Sequence, residues 1–261
     1  MKNNLIKRIK MGGILPLILM LIFAAVPDLD AGKAHDQHRH FKIEKDGRVI
    51  VDGHEFKNME SYLNSDLIKT RNKRCGVGSH VAFDTNSTPP VGSQSDCTLA
   101  ITTIQSEYYP SQTYTIPIVF HVIYKSDGTG NISDQNIIDQ VQVMNEDFGA
   151  ISGSLGQNGF NTKLQFTLAG ITRTQNDNWF NDNGEATYKA TLGWDRDEYL
   201  NVYTNTASGY LGYAYLPQDM AGANLDGVVM LYSVIGGRDL PGAGTYNQGR
   251  TLVHEVGHYL G

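Results

Sequence analysis

Residues 250–261 read RTLVHEVGHYLG, and two His spaced around a Glu inside this apolar stretch decide how the chain is read. Leu252, Val256 and Tyr259, flanked by Val253 and Leu260, make an apolar stripe at helical spacing, so the segment is expected to be a helix anchored along that stripe. Residues four apart sit about 40° from each other around a helix axis, which lets His254 and His258 bring both imidazoles to one ion. Imidazole nitrogens at about 2.0–2.1 Å suit Zn²⁺. Glu255 projects beside them, placed to hold a water and take its proton rather than to join as a ligand. A buried amphipathic helix with two incidental His is the competing reading. Gly257 costs about 1 kcal/mol inside a helix, which suggests that a close backbone contact is tolerated or needed there. Gly261 stands where the longer pattern H-E-x-x-H-x-x-G-x-x-H has its Gly, which ends the helix at positive φ and swings the chain toward a third His. On that pattern the third His falls three positions past Gly261, and the chain is expected to stop inside its own metal motif.

Upstream, Tyr114–Tyr124 (YTIPIVFHVIY) is an almost unbroken β-branched and aromatic run, suited to a strand buried on both faces, with Pro117 near its start or at an edge. His121 within it reads as a hydrogen-bonded core histidine, the alternative being a further metal ligand. Asn131, Ser133 or Asp134 can cap a helix running to about Phe148, with Ile137, Val141, Met144 and Phe148 on one stripe. Strands are expected at Leu164–Ala169, Tyr199–Thr204, Leu211–Leu216 and Gly227–Tyr232. The order of strand, helix, several strands and a last helix is a mixed α/β, or α+β, pattern. The stretch Asn176–Gly184 fails the calcium-loop template, having no Asp five positions before Gly184. It reads as a solvated loop, and calcium is left open without assigned ligands.

The chain of 261 residues, 40% hydrophobic, has a globular composition. Met1–Lys10 carries Lys2, Lys7, Arg8 and Lys10, and Met11–Val26 is uncharged and closes on Ala24 and Ala25, the order of a secretory signal peptide over residues 1–26. The apolar run is shorter than the roughly 20 residues of a membrane span, so no stable membrane anchor is expected. Loss of the four cations takes the formal charge from −6 to −10, which argues against a nucleic-acid partner. Residues 27–83 read as a charged prosegment leaning on something larger, starting in a solvated tract, AHDQHRH (34–40), that could also bind metal weakly. A small hairpin is expected near Asp52 and Gly53 and a short helix near Met59–Lys69. Asp84–Asp96 (DTNSTPPVGSQSD) centres a linker, residues 84–110, ahead of the main domain, 111–261.

Seven segments in order resemble the pappalysin family of metzincins: TIPIVFHVIY, NISDQNIIDQVQVMNEDF, LQFTLAG, LNVYT, GYLGYAYLP, DGVVMLY and GRTLVHEVGHYLG. The resemblance covers about Tyr114–Gly261. It implies the upper subdomain of a metzincin: a twisted, mostly parallel sheet with an antiparallel edge strand, a backing helix and an active-site helix. It further implies one catalytic Zn²⁺ held by His254 and His258, Glu255 as general base, and a secreted endopeptidase acting on polypeptide substrates. The distal half of the cleft would follow residue 261. Leu211–Pro217, and in it Leu211, Gly212, Tyr213 and Ala214, would be an upper-rim strand that pairs with substrate backbone; an ordinary sheet edge is the other reading. Lys73, Arg74, Cys75 and Gly76 resemble the cysteine switch of metzincin prosegments, in which the thiolate caps the zinc and keeps a zymogen latent. A disulfide between Cys75 and Cys97 competes with it. A second class also stays open, a secreted binding protein that keeps the fold without turnover.

Overall fold

The computed structural model describes residues 41–70, 110–217 and 225–261. The leader, the His-rich tract, Cys75, Cys97 and the linker up to residue 109 lie outside the described residues. No helix among the described residues is long and apolar enough to cross a membrane.

The first described stretch is a three-stranded antiparallel meander of β1 (Phe41–Ile43), β2 (Val49–Val51) and β3 (His54–Phe56). The expected hairpin joins β2 to β3 through Asp52 and Gly53, whose φ of 48° and 81° are the two positive values a tight right-twisted hairpin demands. Two short helices, α1 (Met59–Leu63) and α2 (Asp66–Thr70), replace the one helix expected over this stretch. α1 starts in a capping box of Asn58 and Ser61 and already ends at Asn64. The segment leans on the main domain. The Tyr62 hydroxyl donates to Gly209 O, Phe41 lies against Gly209, and Leu63 and Asn64 border Gly244.

The main domain is built on β4 (Tyr114–Tyr124), an interior strand of a five-stranded sheet. Parallel to β4 run β5 (Leu164–Gln175) on one side and β6 (Leu200–Asn205) on the other. β8 (Val228–Leu231) follows β6 in parallel, and β7 (Gly212–Tyr213) closes the order β5-β4-β6-β8-β7 as an antiparallel edge. The expected mostly parallel sheet with an antiparallel edge is therefore the one observed. Pro117 sits on the stretch of β4 that β6 does not reach, since that pairing starts at Ile118. Its missing N–H costs nothing on that side. β5 runs six residues past its expected end at Ala169, because β4 offers a ladder out to Tyr124↔Gln175.

Helix α3 (Asp134–Phe148) is capped by Ser133, whose side chain accepts from Asn136 N. It lays Ile137, Val141 and Met144 onto the sheet as their spacing predicts. Two further helices, α4 (Asp177–Phe180) and α5 (Glu185–Leu192), stand between β5 and β6. The last helix, α6 (Arg250–Leu260), carries the two His and the Glu. Leu252 and Val256 anchor it with no exposure, Val253 and Tyr259 are partly buried, and Leu260 stays 41% exposed.

Candidate metal centre

Placement of α6 begins at Gly249, which holds φ 68° and has Gly236 O 2.4 Å from where a Cβ would sit. Only glycine starts the helix there. The buried side chain of Gln140 on α3 locks this corner, its Nε2 donating to Gly249 O (2.7 Å) and its Oε1 accepting from Gly236 N (3.2 Å). Arg250 adds a 2.6 Å bond from Nε to Asp147 Oδ2 on the same backing helix. The motif helix is thus fixed by polar contacts at its start and by apolar packing along its length.

On α6 the Nε2 atoms of His254 and His258 lie 3.1 Å apart, with the rings nearly perpendicular at 88°. Two nitrogens bound at about 2.0–2.1 Å in a tetrahedral set stand about 3.3–3.4 Å apart, so the pair fits a zinc ion with almost no rearrangement. His254 is exposed and His258 half-buried. Burial, and then the neighbouring His254, push the His258 imidazole below its ordinary value, toward the neutral form that ligates. No group of three or more His, Cys, Asp or Glu converges among the described residues. Gly261 takes φ 94° as expected of the motif glycine. At Gly257, however, nothing lies within 4 Å of a would-be Cβ, so the expected close backbone contact is absent among the described residues.

Glu255 faces away from solvent, fully buried, and lines a cleft of about 390 Å³ with Leu211, Tyr246, Thr251 and His254. Gly212 of the rim lies directly above it, since a Cβ there would meet Glu255 Cγ at 2.9 Å and Met230 Sδ at 2.6 Å. Of the expected rim residues Leu211, Gly212, Tyr213 and Ala214, the first two reach the motif, and Tyr213 turns its hydroxyl to Asp182 instead. The strand is shorter than the expected Leu211–Leu216, because the ladder with β8 covers only Gly212↔Met230 and Tyr213↔Val229.

His121 stays out of the site. Asn201 Oδ1 also accepts from Trp194 N (2.8 Å), and Asn201 Nδ2 donates to Trp194 O and Tyr199 O, which orients the amide. His121 Nε2 must then donate to that oxygen (2.9 Å), leaving Nδ1 to accept from Thr172 Oγ1 (2.8 Å). It is a core histidine, neutral because burial lowers its pKa.

One polar group was not foreseen. Asn176–Gly184 is not a solvated loop: Asn176 caps α4, Phe180 is buried, and Asp182 is only 3% exposed. The Asp182 carboxylate accepts from Tyr188 OH (2.9 Å), Asn205 Nδ2 (3.0 Å), Ser208 Oγ (2.7 Å) and Tyr213 OH (3.1 Å to each oxygen). Beside it Glu185 accepts from Tyr215 OH (2.9 Å) and pairs with Lys189 Nζ (2.8 Å). Burial, and then Asp182, push the Tyr213 hydroxyl well above its ordinary pKa, so it stays a donor. The signal in the sequence was the pair Tyr213 and Tyr215 within the stretch expected as a strand, since buried hydroxyls need acceptors.

A short helix presenting two imidazoles and a buried carboxylate beneath a sheet edge defines a metal-dependent hydrolase type of site. The chain is similar to the extracellular metalloprotease of Arthroderma otae, 35% identical over 179 residues, 66% of this chain and 61% of that protein. It is similar too to the extracellular metalloprotease of Arthroderma benhamiae, 32% identical over 204 residues, 74% of this chain and 65% of that protein. The chain thus spans a little under two thirds of these curated relatives. These relatives bear out the resemblance to metalloproteases. Mature mirolysin of Tannerella forsythia, solved with a cleaved peptide, is 35% identical over 57% of this chain and 64% of its own, at a TM-score of 0.45. No family model matches the chain.

Proposed function

We propose that the protein is a secreted zinc-dependent endopeptidase made as a latent zymogen. The observation that carries this reading is the 3.1 Å approach of the two Nε2 atoms on a helix whose Glu255 is buried against the cleft. His254 and His258 would hold the metal, with a further protein ligand from outside the described residues. Zinc, when bound, supplies a Lewis acid that polarises the scissile carbonyl and makes water acidic. Glu255 takes the proton of the attacking water at its carboxylate and passes it to the leaving amine, so the peptide bond breaks and the carboxylate is restored. Leu211–Ala214, at the sheet edge over Glu255, would pair with extended substrate backbone.

For latency, residues 41–70 rest on the turn before the rim strand and on the Gly244–Tyr246 turn that borders the cleft. That is where a prosegment would sit to deliver Cys75 to the metal. Secretion is supported by the leader over residues 1–26 and by relatives named as extracellular. In the full-length protein, Glu255→Gln should keep its zinc, measured by metal analysis, and lose hydrolysis of a denatured protein by at least about 10²-fold. Activity within a few-fold of wild type would show that another group is the base.

A further inference from the structure

We propose that Asp182 and Glu185 are positioning residues for the rim strand, holding Tyr213 and Tyr215 by their hydroxyls so that the opposite face of that strand stays over Glu255. This rests on the reading of Leu211–Ala214 as the strand that receives a peptide substrate.

β7 is two residues long and has one neighbour, β8, so its own ladder is too short to hold it. Pairing with a substrate requires its backbone to keep one register, because a slip of one residue exchanges the two faces. Successive side chains on a strand point to opposite faces. Gly212 is the residue turned to Glu255, and it carries no side chain that could fix the strand from that side. Tyr213 faces the other way, and Tyr213 and Tyr215, the latter just past the strand, each end on a different buried carboxylate, Asp182 and Glu185.

The same two carboxylates hold what leads into each strand of the antiparallel pair. Asp182 accepts from Ser208 in the turn before β7, and Asn205 donates both to Asp182 and to Trp179 O. Glu185 pairs with Lys189, whose Nζ donates to Leu225 O (2.8 Å) and Gly227 O (3.0 Å) just before β8. Lys189 also lies 5.2 Å from the Tyr215 ring centre and 5.9 Å from that of Tyr213. Three buried charges are costly where apolar residues would fill the space, and directional bonds to one strand are what they add. Asp182 itself holds φ 62°, a conformation that non-glycine residues seldom adopt.

The test uses the full-length protein and two fluorogenic peptides sharing one scissile bond, one with a single residue on each side and one extended by four more on each side. Tyr215→Phe and Asp182→Asn should keep wild-type zinc content and raise KM for the extended peptide about ten-fold, the effect of about 1.4 kcal/mol. Its kcat, and kcat/KM for the short peptide, should stay within about two-fold, since only the extended peptide uses the rim. Tyr215→Phe changes a half-buried residue and keeps the test decisive if Asp182→Asn does not fold. Equal losses on both peptides, a fall in kcat alone, or an unchanged KM for the extended peptide in folded variants would overturn the proposal. Wild-type protein that cuts neither peptide, or Glu255→Gln that cuts both, would instead bring down the endopeptidase reading and this inference with it.

Discussion

Gly212→Ala probes the closest approach between the rim and the proposed base. The new Cβ would stand 2.9 Å from Glu255 Cγ and 2.6 Å from Met230 Sδ, where ordinary contact begins near 3.4 Å. Glu255 must give by about 0.5 Å and Met230 by more, and Met230 is fully buried, so neither can yield into solvent. Overpacking of this kind costs about 1–3 kcal/mol. A misplacement of about 1 Å in a catalytic geometry costs about 10²-fold, so half that distance should cost about ten-fold in kcat. At about 2–4 °C per kcal/mol for a domain of this size, Tm should fall by several degrees. Steady-state kinetics on a peptide substrate and thermal unfolding, both on full-length protein at saturating zinc, measure the two effects. Wild-type kcat and Tm in Gly212→Ala would refute the placement of the strand on Glu255.

Two further outcomes are expected. Burial lowers the His121 pKa, so the unfolded chain gains a proton near pH 6.5 that the fold refuses. Stability from this residue is complete above about pH 6.5 and is progressively lost as pH falls below it. His258 is shifted the same way, so the comparison must be with His121→Gln, whose unfolding free energy should fall less than that of the wild type between pH 7.5 and 5; equal falls would refute the assignment. If Cys75 caps the zinc in the latent form, Cys75→Ser should raise the activity of the unprocessed protein, and Cys75 found in a disulfide with Cys97 in that form would reject the switch.

Local signals carried most of the architecture. The apolar run Tyr114–Tyr124 could only be a buried strand, and the four-three-four stripe from Ile137 to Phe148 could only be a helix laid on it. The two His and the Glu were legible for the same reason, since helical spacing alone decides that both imidazoles converge. Lengths were less legible. β5 extends because β4 continues beside it, and β7 is cut short because β8 pairs with only two of its residues. Both depend on a neighbour far away in sequence. At Gly257 helix propensity pointed to a close contact that the described residues do not make, since a glycine between two histidines of one exposed face need not be packed against anything.

Asn176–Gly184 was the least legible stretch. A run of Asn, Asp and Gly is normally solvated, because its side chains satisfy themselves with local turns and water. Asp182 escapes that rule through donors that come from later in the chain: Tyr188 six positions on, Asn205 at the end of β6, Ser208 just past it, and Tyr213 on the edge strand 31 positions away. Each of those tyrosines, read alone, is an aromatic core residue with a hydroxyl needing an acceptor. Read together with a carboxylate whose i+3 and i+7 neighbours are Glu185 and Lys189, they describe one buried polar group. The need for acceptors on the buried hydroxyls of Tyr188 and Tyr213, rather than the polarity of the loop, is the feature that accounts for Asp182. It is also why the support of the rim belongs to α4, α5 and the turn between them, and not to the helix that carries the His.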